Sequence, residues 1–258
     1  MSDRNLHRTG EGFWNIRGSF RIAGLLDIGT QASLVRRPSG RFLLLDSYAL
    51  DDATLAEVRA LTDGGAAVEA VLNLHPHHTV HCKATHEQFP QAKLYGCTRH
   101  KAKWPHLPWE GALVESEQVR DMFADTLALS VPKGVDYICS NDNVHFSSVL
   151  AYHPASGTLH VDDTLMFLDL PFPASLVAPS GRLAFHPTLS SALRKERGAA
   201  GAFEEWAKGI AADWHDCTTV CAAHSAVCDM PEKDFPERIG AALGKVKPKL
   251  DRHRRIYG

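Results

Sequence analysis

The stretch that most constrains the fold is the run "AVEAVLNL" at residues 67–74. It is apolar at nearly every position, as expected of a strand covered on both faces rather than one. Covering both faces of a parallel sheet requires helices on either side. The flanks agree with this. Before the run, "DDATLAEVRALTDGG" predicts a helix capped by Asp51 or Asp52, with Leu55, Val58, Ala60 and Leu61 as its apolar stripe and Gly64-Gly65 as its stop. After it, "ATHEQFP" predicts a short helix and "AKLYGC" another strand. This alternation points to the α/β class.

The remaining chain supplies more strands. "FWNIRGSFRI" and "ASLVRRPSGRFLLLD" are rich in β-branched and aromatic residues. The turn Pro38-Ser39-Gly40 splits the second, and "FLLLDS" reads as a buried strand ending in Asp46. "DTLALSVP", "VDYICS", "VHFSSVLAYHP" and "GTLHVDDTLMF" also predict strands, with a turn at residues 154–157 between the last two. Residues 189–214 predict helix broken at 198–201, "CTTVCAAH" a short strand, and "DFPERIGAALGKVKPKLDRHRR" a final helix. Strands followed by helices thus occur twice. No Pro/Ser-rich linker separates the halves, so residues 1–258 read as a single domain.

Composition narrows the classes of partner. Hydrophobic residues are 44% and charged residues 22% of 258, enough for a sizeable core. Lys plus Arg is 28 against 30 for Asp plus Glu, so an electrostatic grip on nucleic acid or an anionic membrane is not expected. "MSDRNLHRTGEG" lacks the features of a secretory signal, and no apolar run approaches the ~20 residues that span a bilayer. A cytoplasmic location, dispersed reduced cysteines and a small-molecule substrate are the expectations; oligomeric state is left open.

Histidine is the unusual residue. "HPHHTVH" places four within residues 75–81, at the end of the apolar run. Alternate residues of a strand share a face, so His75 and His77 are predicted to project together while His78 points away. Neutral imidazole binds zinc, iron, copper or nickel, and the ligand type alone does not select among them. A histidine-rich loop accounts for one such pair equally well; His78 and His81 just beyond favour the metal. Further on, "NVHFSS" predicts His145 at a strand start, "HVDDTLM" Asp162 and Asp163 within a strand, and "CAAHS" His224 at the end of another. A buried carboxylate needs a partner, and a hydrogen-bonded structural Asp is the plainer account of each taken alone. Cys217, Cys221 and Cys228 surround His224 without C-x-x-C spacing, and buried thiols account for them. Trp104 and Trp109 read as packing a Pro-rich loop, and "RHRR" at 252–255 as a solvated helix end.

Taken in order, "SLVRRPSGRFLLLDS", "LHPHHTVH", "VHFSS", "HVDDTLM" and "AAHSA" resemble the metallo-β-lactamase superfamily over most of the chain. The resemblance implies an αββα sandwich of two mixed β-sheets flanked by helices, with a metal site along one edge. It implies His75, His77 and His145 as a first metal site, Asp163 as a bridging carboxylate, and His224 as a second-site ligand. Asp46 matches the Asp that ends the family's opening strands. The departure is in the motif H-x-H-x-D-H, whose last two places are here Thr79 and Val80, and Val144 stands where a glycine precedes the family's later histidine. His81, one place beyond, is then the candidate replacement ligand.

These residues support three readings. The first is a hydrolase using one or two zinc ions, in which water attacks an ester, lactone or related bond, with Asp163 and His145 as catalytic residues. The second is a mononuclear non-haem iron oxygenase built on two histidines and a carboxylate. The third is a non-catalytic descendant that keeps the frame.

Overall fold

The computed structural model describes residues 5–19, 21–22, 26–27, 29–168, 182–223 and 227–258, and the chain divides into two units, Met1–Leu129 and Ser130–Gly258. Each unit is organised around its own mixed sheet, with helices alongside.

The first unit carries a seven-stranded sheet. Its strands, in spatial order, are β1 (Leu6–Gly10), β2 (Phe13–Gly18), β5 (Thr30–Arg36), β6 (Phe42–Leu45), β7 (Val68–Leu72), β8 (Lys93–Gly96) and β9 (Trp109–Leu113). The two-residue strands β3 (Arg21–Ile22) and β4 (Leu26–Asp27) pair with one another. From β1 to β6 the pairing is antiparallel, and the β5–β6 turn is tight because Gly40 takes a left-handed φ of 82°. From β6 to β9 the pairing is parallel, so each connection must cross over and the helices α1 (Asp52–Leu61), α2 (Cys82–Gln88) and α3 (Thr98–Lys103) fill the crossovers. Helix α4 (Glu117–Met122) follows β9.

The apolar run forms β7 as expected, with Val68, Ala70, Val71 and Leu72 fully buried. Its one charge, Glu69, meets the Arg37 guanidinium at 2.8 Å. Asp51 caps α1 by accepting from the Thr54 amide at 2.7 Å. The apolar stripe differs from the expected one. Thr54 and Val58, one helical turn apart, are the residues α1 buries, while Ala60 is exposed and Leu61 is 39% exposed. Leu55 is partly buried against the same core beside Val58, while Leu61, the last residue of the helix, lies beyond the packed part.

The second unit carries a five-stranded sheet in the order β10 (Ala128–Ser130), β11 (Leu150–His153), β12 (Thr158–Val161), β15 (Thr219–Ala222) and β16 (Val227–Asp229). Strands β12 and β15 are parallel, while β11–β12 and β15–β16 are antiparallel. Strand β13 (Leu165–Leu168) pairs with β14 (Arg182–Phe185) outside that sheet. Helices α5 (Leu189–Ala192), α6 (Ala199–Asp213) and α7 (Phe235–Tyr257) complete the unit, with Phe203, Trp206 and Ile239 among the buried side chains of the last two.

Four sequence expectations in this unit are corrected. "VDYICS" forms no strand beyond a single bridge from Val135 to Leu193, and "VHFSS" is irregular, the strand starting only at Leu150. The backbone there is held instead by side chains, as where the Ser147 hydroxyl donates to the Asp136 carbonyl at 2.8 Å. Asp162 and Asp163 lie in the turn between β12 and β13, not inside one strand. The basic end of α7 is not simply solvated, since Arg254 pairs with both Glu204 and Asp251. Among the described residues, no helix is long and apolar enough to cross a membrane.

Candidate metal centre

In the first unit the chemistry gathers at the carboxyl ends of the parallel strands β6, β7 and β8, where open α/β sheets present their ligand-binding loops. Strand β6 ends in Asp46, whose amide still extends the ladder by donating to the Leu72 carbonyl at 2.8 Å. Asp46 itself takes a left-handed φ of 60° and is 1% exposed. Its carboxylate accepts the Leu74 amide at 2.7 Å, which clamps the start of the segment leaving β7. Asn73 fixes the same segment from below, its side-chain amide donating to the Tyr95 carbonyl at 3.0 Å and its oxygen accepting from Ser47 at 2.7 Å.

Strand β7 stops at Leu72, so the histidines occupy turns, and strand alternation no longer governs them. The His78 amide donates back to the His75 carbonyl at 3.1 Å, folding the chain over itself. The imidazoles of His75 and His78 consequently stand 4.3 Å apart between ring centroids, against 5.7 Å for His75 and His77. The expected pairing of His75 with His77 across one strand face is therefore replaced by His75 with His78. The His77 amide donates to Nδ1 of His75 at 3.2 Å. His75 is fully buried, whereas His77 and His78 are half-buried. A ring nitrogen of His78 lies within 4.8 Å of one on His75, and a ring nitrogen of His78 within 4.8 Å of an Asp46 oxygen.

Behind this turn stands a buried Cys–His pair at the start of α3. The Cys97 sulfur is 3.1 Å from Nδ1 of His100, and both residues are inaccessible to solvent. Burial pushes the His100 imidazole down to about 4, Asp46 acting in the opposite direction and His78 reinforcing the fall. The Cys97 thiol is likewise raised by burial. Burial disfavours the thiolate that nucleophilic catalysis requires and closes the pair to solvent, so the pair supports the loop.

His81 precedes α2 and lies edge-on to Tyr48, with ring centroids 5.2 Å apart; burial and then His78 lower its pKa. Thr79 is buried and Val80 is 63% exposed, so the place of the motif's last histidine faces solvent with an apolar side chain.

The second unit presents a turn at the carboxyl end of β12. Asp162 and Asp163 are 1% and 4% exposed, and Oδ1 of Asp162 is 4.0 Å from Nε2 of the fully buried His160. Thr164 staples this turn to residues 146–148: its hydroxyl donates to the Phe146 carbonyl at 3.0 Å and accepts the Ser148 amide at 2.9 Å. His145, immediately before, is half-buried, with Nε2 2.6 Å from the Asp142 carbonyl. The parallel pairing of β12 with β15 runs to Val161 and Ala222, and the Ala223 amide donates to the Val161 carbonyl at 3.1 Å. His224 follows directly and lies outside the described residues. Cys217 and Cys228 are buried thiols, Cys217 pushed up to about 12 by burial.

Sequence reasoning alone did not select His78, His100 or His160, and named Asp46 only as a strand end. The signal was present for the last two positions, since a histidine inside "TLHVDD" and an acid closing "FLLLD" are polar residues in apolar strands. The donor types fit a metal: imidazole nitrogens with a carboxylate oxygen suit a borderline ion such as zinc or iron rather than calcium or magnesium.

No profile of a known protein family and no curated protein matches the sequence. Solved structures do match. The chain is similar to the metallo-β-lactamase FIM-1 from Pseudomonas aeruginosa in its mono-zinc form, with a TM-score of 0.57 at 11% identity over 93% of this chain and 95% of that one. It is similar to a metallo-β-lactamase from Erythrobacter litoralis, with a TM-score of 0.57 at 14% identity over 97% and 94%. A metallo-β-lactamase from Hirschia baltica gives 0.56 at 14% identity over 92% and 96%. At such identities the likeness establishes the fold: two large mixed sheets flanked by helices, of metallo-β-lactamase type.

Proposed function

We propose that this chain, which has the metallo-β-lactamase fold, is a metal-dependent hydrolase acting on a small molecule, with His75 and His78 as ligands and the buried carboxylates of Asp162 and Asp163 as further acidic groups of the same function. The observation that carries the reading is the convergence of two imidazoles at 4.3 Å beside a buried carboxylate, at the carboxyl ends of parallel strands. A bound zinc ion supplies Lewis acidity, drawing the pKa of water toward neutrality and polarising a carbonyl or phosphoryl oxygen.

The chain's own residues set what remains. Thr79 cannot accept a proton at neutral pH, so the base assigned to the motif acid must come from elsewhere. Asp163, which the resemblance assigns to the bridging carboxylate and which lies in a turn pinned by Thr164, or its neighbour Asp162, would have to take that role. His145 keeps a candidate role beside it. Esters, lactones and phosphoesters are the substrate classes that this chemistry serves.

A second reading has its own support. Two histidines and one carboxylate are the donor set that non-haem iron uses for oxygen chemistry, and His75 with His78 would supply its histidines. Metal identity separates the two. Elemental mass spectrometry of the purified protein should find zinc, with turnover on an ester, lactone or phosphoester panel and loss of metal in His75→Ala and His78→Ala. Iron with a visible absorption band selects the second reading. A chain that takes up neither metal when both are offered is a non-catalytic descendant, and the proposal fails.

A further inference from the structure

We propose that His100 is a positioning residue for the metal centre, its imidazole N–H directed at the backbone carbonyl of the ligand His78; this rests on the metal-dependent reading above. The argument starts from the proton on its ring. Nδ1 of His100 accepts the Cys97 amide at 3.2 Å, and a ring nitrogen that accepts a hydrogen bond carries no proton. The ring is therefore the neutral form with its single proton on Nε2. Its place is fixed from several sides. Cys97 and His100 cap one another at the start of α3, and the Trp109 ring lies 5.8 Å from the imidazole between centroids. Gly96 leaves space that a side chain would take, since a Cβ there would fall 2.9 Å from Cβ of His100.

Two observations show where Nε2 is aimed. It is buried and completes no hydrogen bond, an arrangement that native interiors rarely tolerate without a reason. The His78 carbonyl nevertheless favours the protonated ring, which a carbonyl does for an N–H that it faces. With Nδ1 taken by the Cys97 amide, that N–H is the one on Nε2. Helix α3 thus turns two donors toward consecutive carbonyls of the histidine turn. His100 and Trp104 stand one helical turn apart, the His100 carbonyl accepting the Trp104 amide at 2.9 Å, and the Trp104 indole holds the Thr79 carbonyl at 2.6 Å. The Trp104 bond is already closed. The His100 donor is held for the liganded form of the turn, where it fixes the direction of the His78 ring through the backbone without touching the ion.

The test separates the two ends of the ring. In His100→Gln the side-chain amide N–H stands in for Nε2–H, and the acceptor for Cys97 is lost. In His100→Asn the amide oxygen stands in for Nδ1, and the donor toward His78 is lost. Metal affinity is read by competition with a coloured chelator, and the geometry of the centre from the visible absorption of the cobalt(II)-substituted protein. His100→Gln should keep the spectrum of the unsubstituted protein, whereas His100→Asn should lose about 10- to 100-fold in affinity and shift the spectrum. His100→Asn with unchanged spectrum and affinity overturns the proposal. So do two variants equally impaired, or His100→Gln the worse of the two, because a residue needed only for packing or for the Cys97 cap gives those outcomes. Where a variant does not fold, the unsubstituted protein decides. In proton–nitrogen NMR spectra of its histidines, the Nε2 proton of His100 should move downfield when zinc is added, and a resonance that stays in place overturns the proposal. An unsubstituted chain that binds no metal removes the metal reading as well, whereas metal bound normally by His100→Asn removes His100 alone.

Discussion

The indole N–H of Trp104 donates to the carbonyl of Thr79 at 2.6 Å, tying the end of α3 to the turn that carries the histidines. Trp109 continues the chain of contacts, its own N–H reaching the Trp104 carbonyl at 2.8 Å. Both tryptophans pack the loop, as the Pro-rich sequence suggested, and one of them also holds the candidate site in shape.

Replacing Trp104 with Phe keeps the ring and deletes the donor. Loss of that hydrogen bond should cost about 1–3 kcal/mol, because the Thr79 carbonyl lies at a buried residue. The larger expected effect is on metal: a histidine turn free to move binds an ion more weakly, by about tenfold or more. Thermal denaturation and chelator competition measure the two effects separately. An unchanged metal affinity in Trp104→Phe would show that the turn holds its shape without the tie.

Arg37 is 11% exposed and joins three acidic oxygens: Oε1 of Glu69 at 2.8 Å and both oxygens of Asp125 at 2.9 Å. Its guanidinium carbon also lies 5.3 Å over the Phe123 ring. Arg37→Met preserves most of the stem and leaves Glu69 on the buried strand with only the longer 3.6 Å contact to the half-exposed Arg41. The expected cost is about 2 kcal/mol. At this chain length that lowers the Tm by roughly 4–8 °C. Adding Glu69→Gln should recover part of the loss, and a double variant no better than the single one would remove Glu69 as the cause.

His153 is 4% exposed, with Nδ1 2.8 Å from the Ser156 hydroxyl, and burial holds its imidazole below the usual value of 6.5. The sign of its effect follows from linkage. The unfolded chain takes up this proton near pH 6.5, the folded chain only at lower pH, so acid favours unfolding in the interval between. Stability should fall by up to about 1.4 kcal/mol per pH unit below the unfolded value, and level off once the folded pKa is passed. His153→Asn keeps an acceptor for Ser156 and cannot titrate. Its Tm should decline less steeply than that of the unsubstituted chain between about pH 6.5 and 5. Parallel curves would count against the assignment.

Much of the architecture is legible in local sequence because it depends on local forces. The apolar run at residues 67–74, the Asp51 cap and the Gly40 turn each express a preference of a few residues, and each appears where expected. The segments "VDYICS" and "VHFSS" carry strand propensity in their β-branched and aromatic residues, whereas side-chain hydrogen bonds such as Ser147 to Asp136 hold them in loops.

The candidate site divides the same way. Its chemistry, histidines crowded at the end of a buried strand and acids inside apolar segments, was determined by the sequence itself. Which of those residues meet was decided by the tertiary structure. The period-two argument paired His75 with His77, but it holds only while a residue is in a strand, and β7 ends three residues earlier at Leu72. The turn then brought His78 back to His75, and the parallel register of β6 with β7 carried Asp46, some thirty positions away in sequence, to within reach of His78. Spacing along a chain fixes a side chain's direction only within one regular element; between elements, hydrogen-bond register and packing fix it, and those forces act between residues that the sequence holds far apart.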